Sequence, residues 1–279
     1  MRAGRRRGVA DVELEHGVPE GDTIAKLARF LADETVGCAV RRLWVRPRDE
    51  PSAVGCDITS VSCKGKHLFM ALSNGVALRS HLGMYGAWHR YRPDSDWRRP
   101  RRQASIVVDL GDWQYVCFNA KEVEWLRGDG PRHLDRLHRL GPDLIAATAR
   151  PAEIRRRVHA LVDASTLAVD LLLDQRVAAG IGNVYKSELL FLEGIDPTRR
   201  VADLGQGRLE ALYHRAASLL RANLGGGRRT TRASQDGRGR LWVYGRYELP
   251  CLRCGEPIRR ASLGARPRST YWCPRCQRG

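Results

Sequence analysis

The sequence of 279 residues has few lysines, few phenylalanines and no long apolar stretch. Because a membrane-spanning helix needs about 20 consecutive apolar residues, we expect a soluble protein. Acidic residues are also scarce, since 48 lysines and arginines face 31 aspartates and glutamates and give a net charge of +17. This surplus favours a polyanionic partner such as nucleic acid, with a basic but uninvolved surface as the alternative.

Lysine supplies only five of the 48 basic side chains, and arginine supplies the others. Arginine binds phosphate through a planar fork of donors, so the arginines are expected to provide the general phosphate-binding field. Each lysine is therefore a candidate for a particular role. The lysines are Lys26, Lys64, Lys66, Lys121 and Lys186.

The eight cysteines form two groups. Cys38, Cys56, Cys63 and Cys117 lie among apolar residues and are expected to be buried, reduced thiols of a cytoplasmic protein. The second group has the spacing Cys-x2-Cys-x18-Cys-x2-Cys, which is typical of one structural Zn²⁺ held by four thiolates, with a redox or disulfide function as the alternative. Four sulfur ligands leave no position for a catalytic water. The predicted ligands are Cys251, Cys254, Cys273 and Cys276.

The hydrophobic pattern changes once along the chain. A helical stretch at 23–31 precedes strand-like runs, and residues 151–224 have a helical pattern that begins with Pro151. Residues 90–102 and 225–240 are predicted loops, and 131–149 a connection between domains. The strand-like runs cover 40–45, 58–61, 67–72, 76–80, 105–110 and 115–118.

Pro19 and Glu20 form the most informative pair of residues. A proline at a free N-terminus is a secondary amine that can attack an aldehyde, whereas an internal proline has no basic nitrogen. Further along, Gly180-Ile181-Gly182-Asn183 joins two predicted helices. The backbone N–H groups that begin the second helix, with Asn183 beside them, predict a phosphate-binding position.

Several motifs in order give the chain a family resemblance. It resembles the formamidopyrimidine-DNA glycosylase and endonuclease VIII family from Pro19 to Gln277. The matching segments are Pro19-Glu20-Gly21, Lys64-Gly65-Lys66, Ser80-His81-Leu82-Gly83-Met84-Tyr85-Gly86, the turn from Gly180 to Asn183, Val243-Tyr244-Gly245-Arg246, and Tyr271-Trp272-Cys273-Pro274-Arg275-Cys276-Gln277.

The resemblance implies an α+β protein of two domains. An N-terminal β-sandwich with a leading helix would be followed by a helical helix-two-turn-helix domain with a four-cysteine zinc finger. We expect a catalytic domain at 19–135, a linker at 136–150, a DNA-binding domain with a lesion loop at 151–240 and the finger at 241–279. The partner would be damaged double-stranded DNA, and the enzyme would act as a monomer.

The resemblance also implies roles for single residues. Pro19 would attack C1′ of a flipped-out damaged nucleotide, and Glu20 would move protons as a general acid and base. Lys66, matching a lysine on a strand near the active site, would bind a phosphate and assist catalysis. Asn183 and Arg268 would bind phosphate, with Arg266 as a competitor of Arg268. Met84 and Tyr85 would fill the space left by the flipped base, unless they pack a sheet face instead.

Two departures from the family pattern affect the substrate. The segment from Phe118 to Trp125 is more similar to the endonuclease VIII branch, which prefers oxidised pyrimidines. The usual opening Pro-Glu-Gly-Pro-Glu is altered, because Asp22 and Thr23 occupy its fourth and fifth positions. The role that the family gives to the second glutamate is therefore in doubt here.

The chemistry assigned to Pro19 predicts where the mature enzyme begins. A chain that starts at Met1 holds the Pro19 nitrogen in an amide. Val18 is compatible with a GUG start codon read as methionine, which is removed readily before proline. We therefore expect residues 1–18 to be a non-native extension; otherwise they are a disordered tail without a targeting signal.

Two other classes of protein remain open from the sequence. One is an AP lyase with little glycosylase activity. The other is a noncatalytic zinc-containing DNA-binding protein, in which the Pro19-Glu20 pair is only a turn.

Overall fold

The structure is a computed structural model that describes residues 12–13, 17–127, 139–147, 149–233 and 236–278. The chain divides into two compact units. The first comprises Met1–Pro19, Leu27–Cys63 and His67–His133, and the second comprises Glu20–Lys26, Lys64–Lys66 and Leu134–Gly279. The short segments 20–26 and 64–66, which the sequence placed in the first domain, thus belong to the second unit.

Helix α1 runs over Gly21–Thr35 and agrees with the predicted helix at 23–31. Asp22 in its first turn favours the positive end of the helix dipole. Ile24, Leu27, Ala28 and Leu31 follow the spacing of one helix face, and all four are buried.

The first unit contains two antiparallel sheets of six and four strands. The larger sheet has the order β1-β7-β9-β8-β2-β3, and the smaller one has the order β10-β6-β5-β4. The strands are β1 (Val12–Glu13), β2 (Arg42–Val45), β3 (Arg48–Asp49), β4 (Ile58–Lys64), β5 (His67–Leu72), β6 (Val76–His81), β7 (Ala87–Tyr91), β8 (Ala104–Asp109), β9 (Gln114–Phe118) and β10 (Glu122–Arg127).

Four strands of the first unit were not predicted, namely the two-residue strands β1 and β3 and the longer strands β7 and β10. Every residue of β7 is buried, including His89 and Arg90, so the strand lacks the alternation of apolar and polar residues that sequence analysis detects. The predicted loop at 90–102 therefore begins only after Tyr91. Within the predicted tail, Val12–Glu13 pair with β7, while residues 1–11 and 14–16 lie outside the described residues.

The second unit is helical before the finger. Its helices are α2 (Pro151–Leu161), α3 (Ala168–Leu173), α4 (Asn183–Leu192) and α5 (Gln206–Ala222). Pro151 starts α2 as predicted, because the first turn of a helix does not need its missing N–H. Buried side chains of these helices form one apolar core around Leu172, Leu189 and Leu212. Most of the expected linker at 136–150 is described, and only residues 136–138 and 148 of it lie outside the described residues.

The chain ends in a small hairpin module. Strands β11 (Arg259–Leu263) and β12 (Arg268–Trp272) pair antiparallel, with Leu263 opposite Arg268. Phe191 at the end of α4 packs with Val243, Ile258 and two of the finger cysteines. The finger therefore rests on the second helix of the helix-two-turn-helix.

Candidate active site and DNA-binding surface

Glu20, which precedes α1 in the chain, is fully buried, and its side chain lies against the N-terminus of α4. Its carboxylate accepts hydrogen bonds from the backbone N–H of Gly182 at 2.8 Å, Val184 at 2.6 Å and Tyr185 at 3.3 Å. These are the N–H groups that the sequence assigned to a phosphate. That prediction is wrong for these three donors, because the carboxylate of the protein occupies the positive end of the helix.

The close approach of Glu20 explains why residue 182 is glycine. A Cβ atom at this position would lie 2.5 Å from Cδ of Glu20, far inside normal contact distance. Gly182 also precedes α4 as its N-cap, so Asn183 is the first residue of the helix and not its cap.

The charges around Glu20 act in opposite directions on its carboxyl group. Burial raises the pKa of Glu20, whereas Arg229, Lys66 and the Val184 N–H lower it, and the net pKa lies above the ordinary value. A buried carboxyl with a raised pKa can both give and take a proton closer to neutral pH. This is the property that a general acid and base requires.

Lys66 lies in the turn between β4 and β5, so the expected position on a strand is wrong by one residue. The turn is tight because Gly65 adopts a positive φ of 57° and donates its N–H to Asp143 at 2.7 Å. The Lys66 ammonium donates to the backbone carbonyl of Ile181 at 3.0 Å. Lys66 therefore belongs to the cluster at the start of α4 and contributes positive charge near Glu20.

Asp22 and Arg229 form a buried ion pair that sequence analysis missed. The guanidinium group meets both carboxylate oxygens, with Nη2 to Oδ1 at 2.6 Å and Nε to Oδ2 at 3.0 Å. The partners lie 207 positions apart in the chain, so no local pattern could have linked them.

Asn183 is half-buried, and the protein orients both ends of its amide. Its Nδ2 donates to the Ser269 carbonyl at 2.8 Å, and its Oδ1 accepts from Lys186 Nζ at 2.7 Å. Lys186 is fully buried and also donates to the Ser269 carbonyl and the Thr270 hydroxyl. The predicted phosphate-binding residue is thus tied to strand β12 of the finger.

The finger hairpin presents its arginines to solvent. Arg266 lies in the turn and Arg268 begins β12, and both side chains are exposed. Asp170 of α3 holds the turn by accepting from the Ala265 N–H at 3.0 and 3.1 Å. Because both arginines are exposed, the choice between them stays open.

Met84 and Tyr85 project from the loop that follows β6. Met84 is 49% exposed and Tyr85 is 74% exposed, so the alternative in which they pack a sheet face is wrong. Arg99 donates to the Tyr85 carbonyl at 3.2 Å. Together with Gly17, Gly86, Ala87, Arg99 and Asn119, the two residues line a concave surface of the first unit.

The loop at 225–240 is only partly exposed. Arg229 and Arg232 turn inward to Asp22 and Asp236, whereas Arg228, Arg238 and Arg240 are exposed. The contact of this lesion loop with DNA stays a prediction, for which these three arginines are accessible; residues 234–235 lie outside the described part of the loop.

Four cysteines converge in the finger as predicted. All four Sγ atoms of Cys251, Cys254, Cys273 and Cys276 lie within 4.8 Å of one another, and the shortest separations are 3.4 and 3.5 Å. Tetrahedral thiolate ligands around a zinc ion would be about 3.8 Å apart, whereas a disulfide bond is about 2 Å long. The donor set and its spacing fit a metal ion.

The scattered cysteines fit their prediction less well. Cys117 in β9 is buried, but Cys38, Cys56 and Cys63 are half-buried, and none of these four forms a disulfide bond. Cys63 lies on β4, the edge strand of the smaller sheet, which is exposed over much of its length. Among the described residues no helix is both long and apolar enough to cross a bilayer.

Family comparisons cover most of the chain. Residues 18–123 match the formamidopyrimidine-DNA glycosylase N-terminal domain, and residues 140–235 match the formamidopyrimidine-DNA glycosylase H2TH domain. Residues 248–279 match the zinc finger found in formamidopyrimidine-DNA glycosylase and isoleucyl-tRNA synthetase.

Named relatives are similar over nearly their whole length. A protein named "Probable endonuclease 8 2" from Streptomyces coelicolor is 37% identical over 94% of this chain and 95% of its own. The "DNA-(apurinic or apyrimidinic site) lyase Nei2" of Mycolicibacterium smegmatis is 35% identical over 93% of this chain and 99% of its own. An "Endonuclease 8" from Salmonella schwarzengrund is 29% identical over 94% of this chain and 100% of its own.

Solved structures agree with the fold. The MutM (Fpg) protein of Thermus thermophilus has a TM-score of 0.75 at 28% identity and covers 93% of this chain and 98% of its own. A Lactococcus lactis formamidopyrimidine-DNA glycosylase bound to DNA with an AP site has a TM-score of 0.77 at 22% identity, over 93% of this chain and 100% of its own. This chain belongs to the formamidopyrimidine-DNA glycosylase and endonuclease VIII family, and its named relatives place it on the endonuclease VIII branch.

Proposed function

We propose that this protein is a bifunctional DNA glycosylase and AP lyase of base excision repair that removes oxidised pyrimidines. The enzyme class follows from the family and from relatives named endonuclease 8 and AP lyase. The observation that carries the chemistry is the buried Glu20 carboxyl next to Pro19, surrounded by Arg229 and Lys66.

Pro19 is the nucleophile of this proposal. Its amine attacks C1′ of the damaged nucleotide, and the base leaves with the electron pair of its bond to C1′ and takes up the amine proton. The C1′–O4′ bond then opens, which gives an iminium (Schiff base) on the proline nitrogen. Glu20 gives a proton to the sugar ring oxygen and takes protons up again, while β- and δ-elimination cleave the strand. This chemistry needs a free amine, so the active chain begins at Pro19. The match of the N-terminal family domain starts at residue 18.

DNA binding uses residues of both units. Asn183, Lys66 and Arg268 or Arg266 bind phosphates on either side of the lesion. Met84 and Tyr85 fill the space left by the flipped nucleotide, and their exposure supports this role. Met84→Ala with Tyr85→Ala should slow base release from duplex DNA more than from single-stranded DNA; equal effects on both would contradict the role.

Zinc is the metal that we assign to the four cysteines. Its contribution is structural, because four thiolates leave no open coordination position. We further propose that the enzyme acts as a monomer on damaged duplex DNA in the cytoplasm. Native mass spectrometry measures the mass of the bound metal and the number of chains in the protein, and so tests the metal and the monomer.

Borohydride trapping tests the catalytic proposal. A chain that begins at Pro19 is mixed with abasic-site DNA and sodium borohydride, and reduction should join protein and DNA covalently at Pro19. A matched chain that retains Met1 keeps its N-terminal extension and should give no adduct at Pro19. Failure of the Pro19 chain to trap would leave a noncatalytic DNA-binding protein as the better explanation.

Base release separates the two enzymatic functions. Intact duplexes that contain thymine glycol or dihydrouracil should lose the damaged base and then be cleaved. Cleavage of abasic DNA without release of either base would instead identify an AP lyase with little glycosylase activity.

A further inference from the structure

Arg229 is held in place by the first turn of α1. Besides its two bonds to Asp22, its Nη2 donates to the Thr23 hydroxyl at 2.7 Å. Asp22 and Thr23 are the two residues that depart from the usual opening of the family. Their side chains therefore act together on one guanidinium group.

A second contact fastens the same loop. Lys26, one turn further along α1, donates to the Gly227 carbonyl at 3.3 Å. The start of α1 thus binds the loop at residues 227 and 229. These contacts fix the position of the Arg229 side chain, although the loop that carries it is rich in glycine.

The fixed guanidinium group lies beside Glu20. Arg229 Nη1 is 3.8 Å from Glu20 Oε1, and the Arg229 side chain is only 12% exposed. Its Cζ atom lies 4.9 Å from the centre of the Tyr185 ring. Because little water screens this pair, the charge of Arg229 acts strongly on the Glu20 carboxyl.

We propose that Arg229, fixed by Asp22 and Thr23, is a positioning residue that sets the charge state of Glu20. It stabilises the ionised carboxylate against the cost of burial. Asp22 serves to hold the arginine, which gives the altered opening of this chain a function in the active site. The proposal deepens the proposed function, on which its catalytic consequence rests.

Other charged groups also face Glu20. Lys66 approaches from the β4–β5 turn and Asp22 from α1, while Lys186, Tyr185 and Tyr244 interact with Glu20 more weakly. Arg229 has the largest effect of the charged groups on the Glu20 pKa, and Asp22 has a smaller effect in the opposite direction. Removing Arg229, or Arg229 and Asp22 together, should therefore shift Glu20 towards its protonated form.

Carbon-13 NMR of glutamate-labelled protein tests the proposal without catalysis. The Glu20 carboxyl signal is identified by its loss in Glu20→Gln and titrated in the free protein. In Arg229→Met its pKa should rise by about one pH unit, as expected when an opposite charge within reach is removed. Arg229→Lys keeps the charge and should stay nearer to wild type. This readout remains informative even if borohydride trapping fails.

Single-turnover cleavage of abasic DNA gives the catalytic readout. In Arg229→Met, the limb of the pH–rate profile that Glu20 governs should move to higher pH together with the NMR titration. Arg228→Met is the matched control, because it removes an exposed arginine next to Arg229 and should leave the Glu20 titration unchanged.

A second variant keeps the test valid if Arg229→Met does not fold. The loss of charge in the single variant leaves the buried Asp22 without an opposite charge, whereas Asp22→Asn with Arg229→Met removes both charges. The double variant should be more stable than the single one and should still show a raised Glu20 pKa. The proposal is overturned if Glu20 titrates as in wild type in the folded single and double variants that carry Arg229→Met, or if Arg228→Met shifts it equally.

Discussion

Lys186 shows how a residue acquires a role that its neighbours in sequence do not reveal. The other four lysines of the chain are partly or largely accessible, but Lys186 is enclosed by α4 and β12. Its ammonium satisfies acceptors of Asn183, Ser269 and Thr270 at once. Sequence analysis singled it out only because lysines are rare in this chain.

Burial lowers the pKa of Lys186 to about 8, and this predicts a pH-dependent stability. The unfolded lysine titrates near pH 10.4, so between about pH 8 and 10.4 the unfolded state binds more protons than the native state. The free energy of unfolding should therefore rise with pH in this window, because the cost of burying the charge is relieved. Relative to Lys186→Met, the wild type should gain on the order of 1–2 kcal/mol from pH 7.5 to 9.5 in denaturant unfolding.

The exposed Lys121 provides the control for this measurement. Lys121→Met should follow the wild type at every pH, because its side chain is 62% exposed. A difference between wild type and Lys186→Met that does not change with pH would contradict the predicted titration.

Single residues differ in how far sequence could identify them. The motif around Pro19 and the spacing of the cysteines singled out the opening pair and the four metal ligands. The contact of Arg229 with Glu20 could not be predicted, because the Asp22–Arg229 pair that positions the arginine joins two segments that are distant in sequence. The same limit applies to the three N–H groups that bind a carboxylate of the protein and not a phosphate.

At the scale of elements, α4 organises the second unit. Its first turn binds Glu20 and orients Asn183, its middle carries Lys186 and Glu188, and its end packs on the finger. Glu188 is fully buried and accepts from the Thr231 hydroxyl and from the N–H groups of residues 242–244 at 2.7–2.8 Å. One carboxylate thus fixes the segment that leads into the finger.

Glu188→Gln should destabilise the second unit by about 2–3 kcal/mol. The new amide NH2 replaces one acceptor oxygen and faces donors, so at least one buried donor loses its partner. Urea unfolding of the whole chain measures the change. Glu210→Gln on α5, which removes a half-exposed ion pair with Arg155, should cost less than about 1 kcal/mol. Equal losses in the two variants would show that the Glu188 contacts contribute little.

Sequence periodicity predicted six of the ten described strands of the first unit; it missed the two-residue strands β1 and β3 and gave no sign of β7 or β10. In β7 the polar residues are buried through specific partners, as when Arg90 pairs with Glu34 at 2.7 Å. In β10 the glutamates at 122 and 124 both bind Arg79 of the neighbouring strand β6. Both strands are stabilised by ion pairs across elements, which a pattern of apolar residues cannot show.

At the scale of the whole molecule, the fold and the family were predicted correctly because several motifs occur in a fixed order. The two compact units divide the chain differently from the predicted domain boundaries. Residues 20–26 and 64–66 cluster with the second unit because they carry Glu20, Asp22 and Lys66, which bind the start of α4 and the loop at 225–240. Linear segmentation of a sequence cannot express such an exchange of short segments.

Removal of the metal should weaken DNA binding but leave the sheets of the first unit folded. A chelator, or Cys254→Ser, should unfold the β11–β12 hairpin, because the thiolates carry the folding energy of so small a module. Loss of the hairpin releases Asn183 and removes Arg268, so affinity for abasic-site DNA should fall at least about tenfold, as judged from the size of lost charge-assisted contacts. Fluorescence anisotropy at fixed salt measures this loss.

Cys56→Ser is the control, because its thiol lies outside the finger. Far-UV circular dichroism should show that the sheets of the first unit persist in the metal-free protein. Unchanged affinity after complete removal of the metal would contradict the assigned role of the finger.

The pairing of Asp22 with Arg229 limits how enzymes of this kind can be recombined. The first five residues from Pro19 look like an exchangeable cassette, yet in this chain their fourth side chain neutralises an arginine 207 positions away. Installing the Pro-Glu-Gly-Pro-Glu opening here would remove the Asp22 carboxylate from Arg229 and put a longer glutamate side chain in place of Thr23, so the buried guanidinium group would lose the partner that fits it. A productive chimera must therefore carry the opening and the 225–240 loop together, as one inherited unit made of two distant pieces.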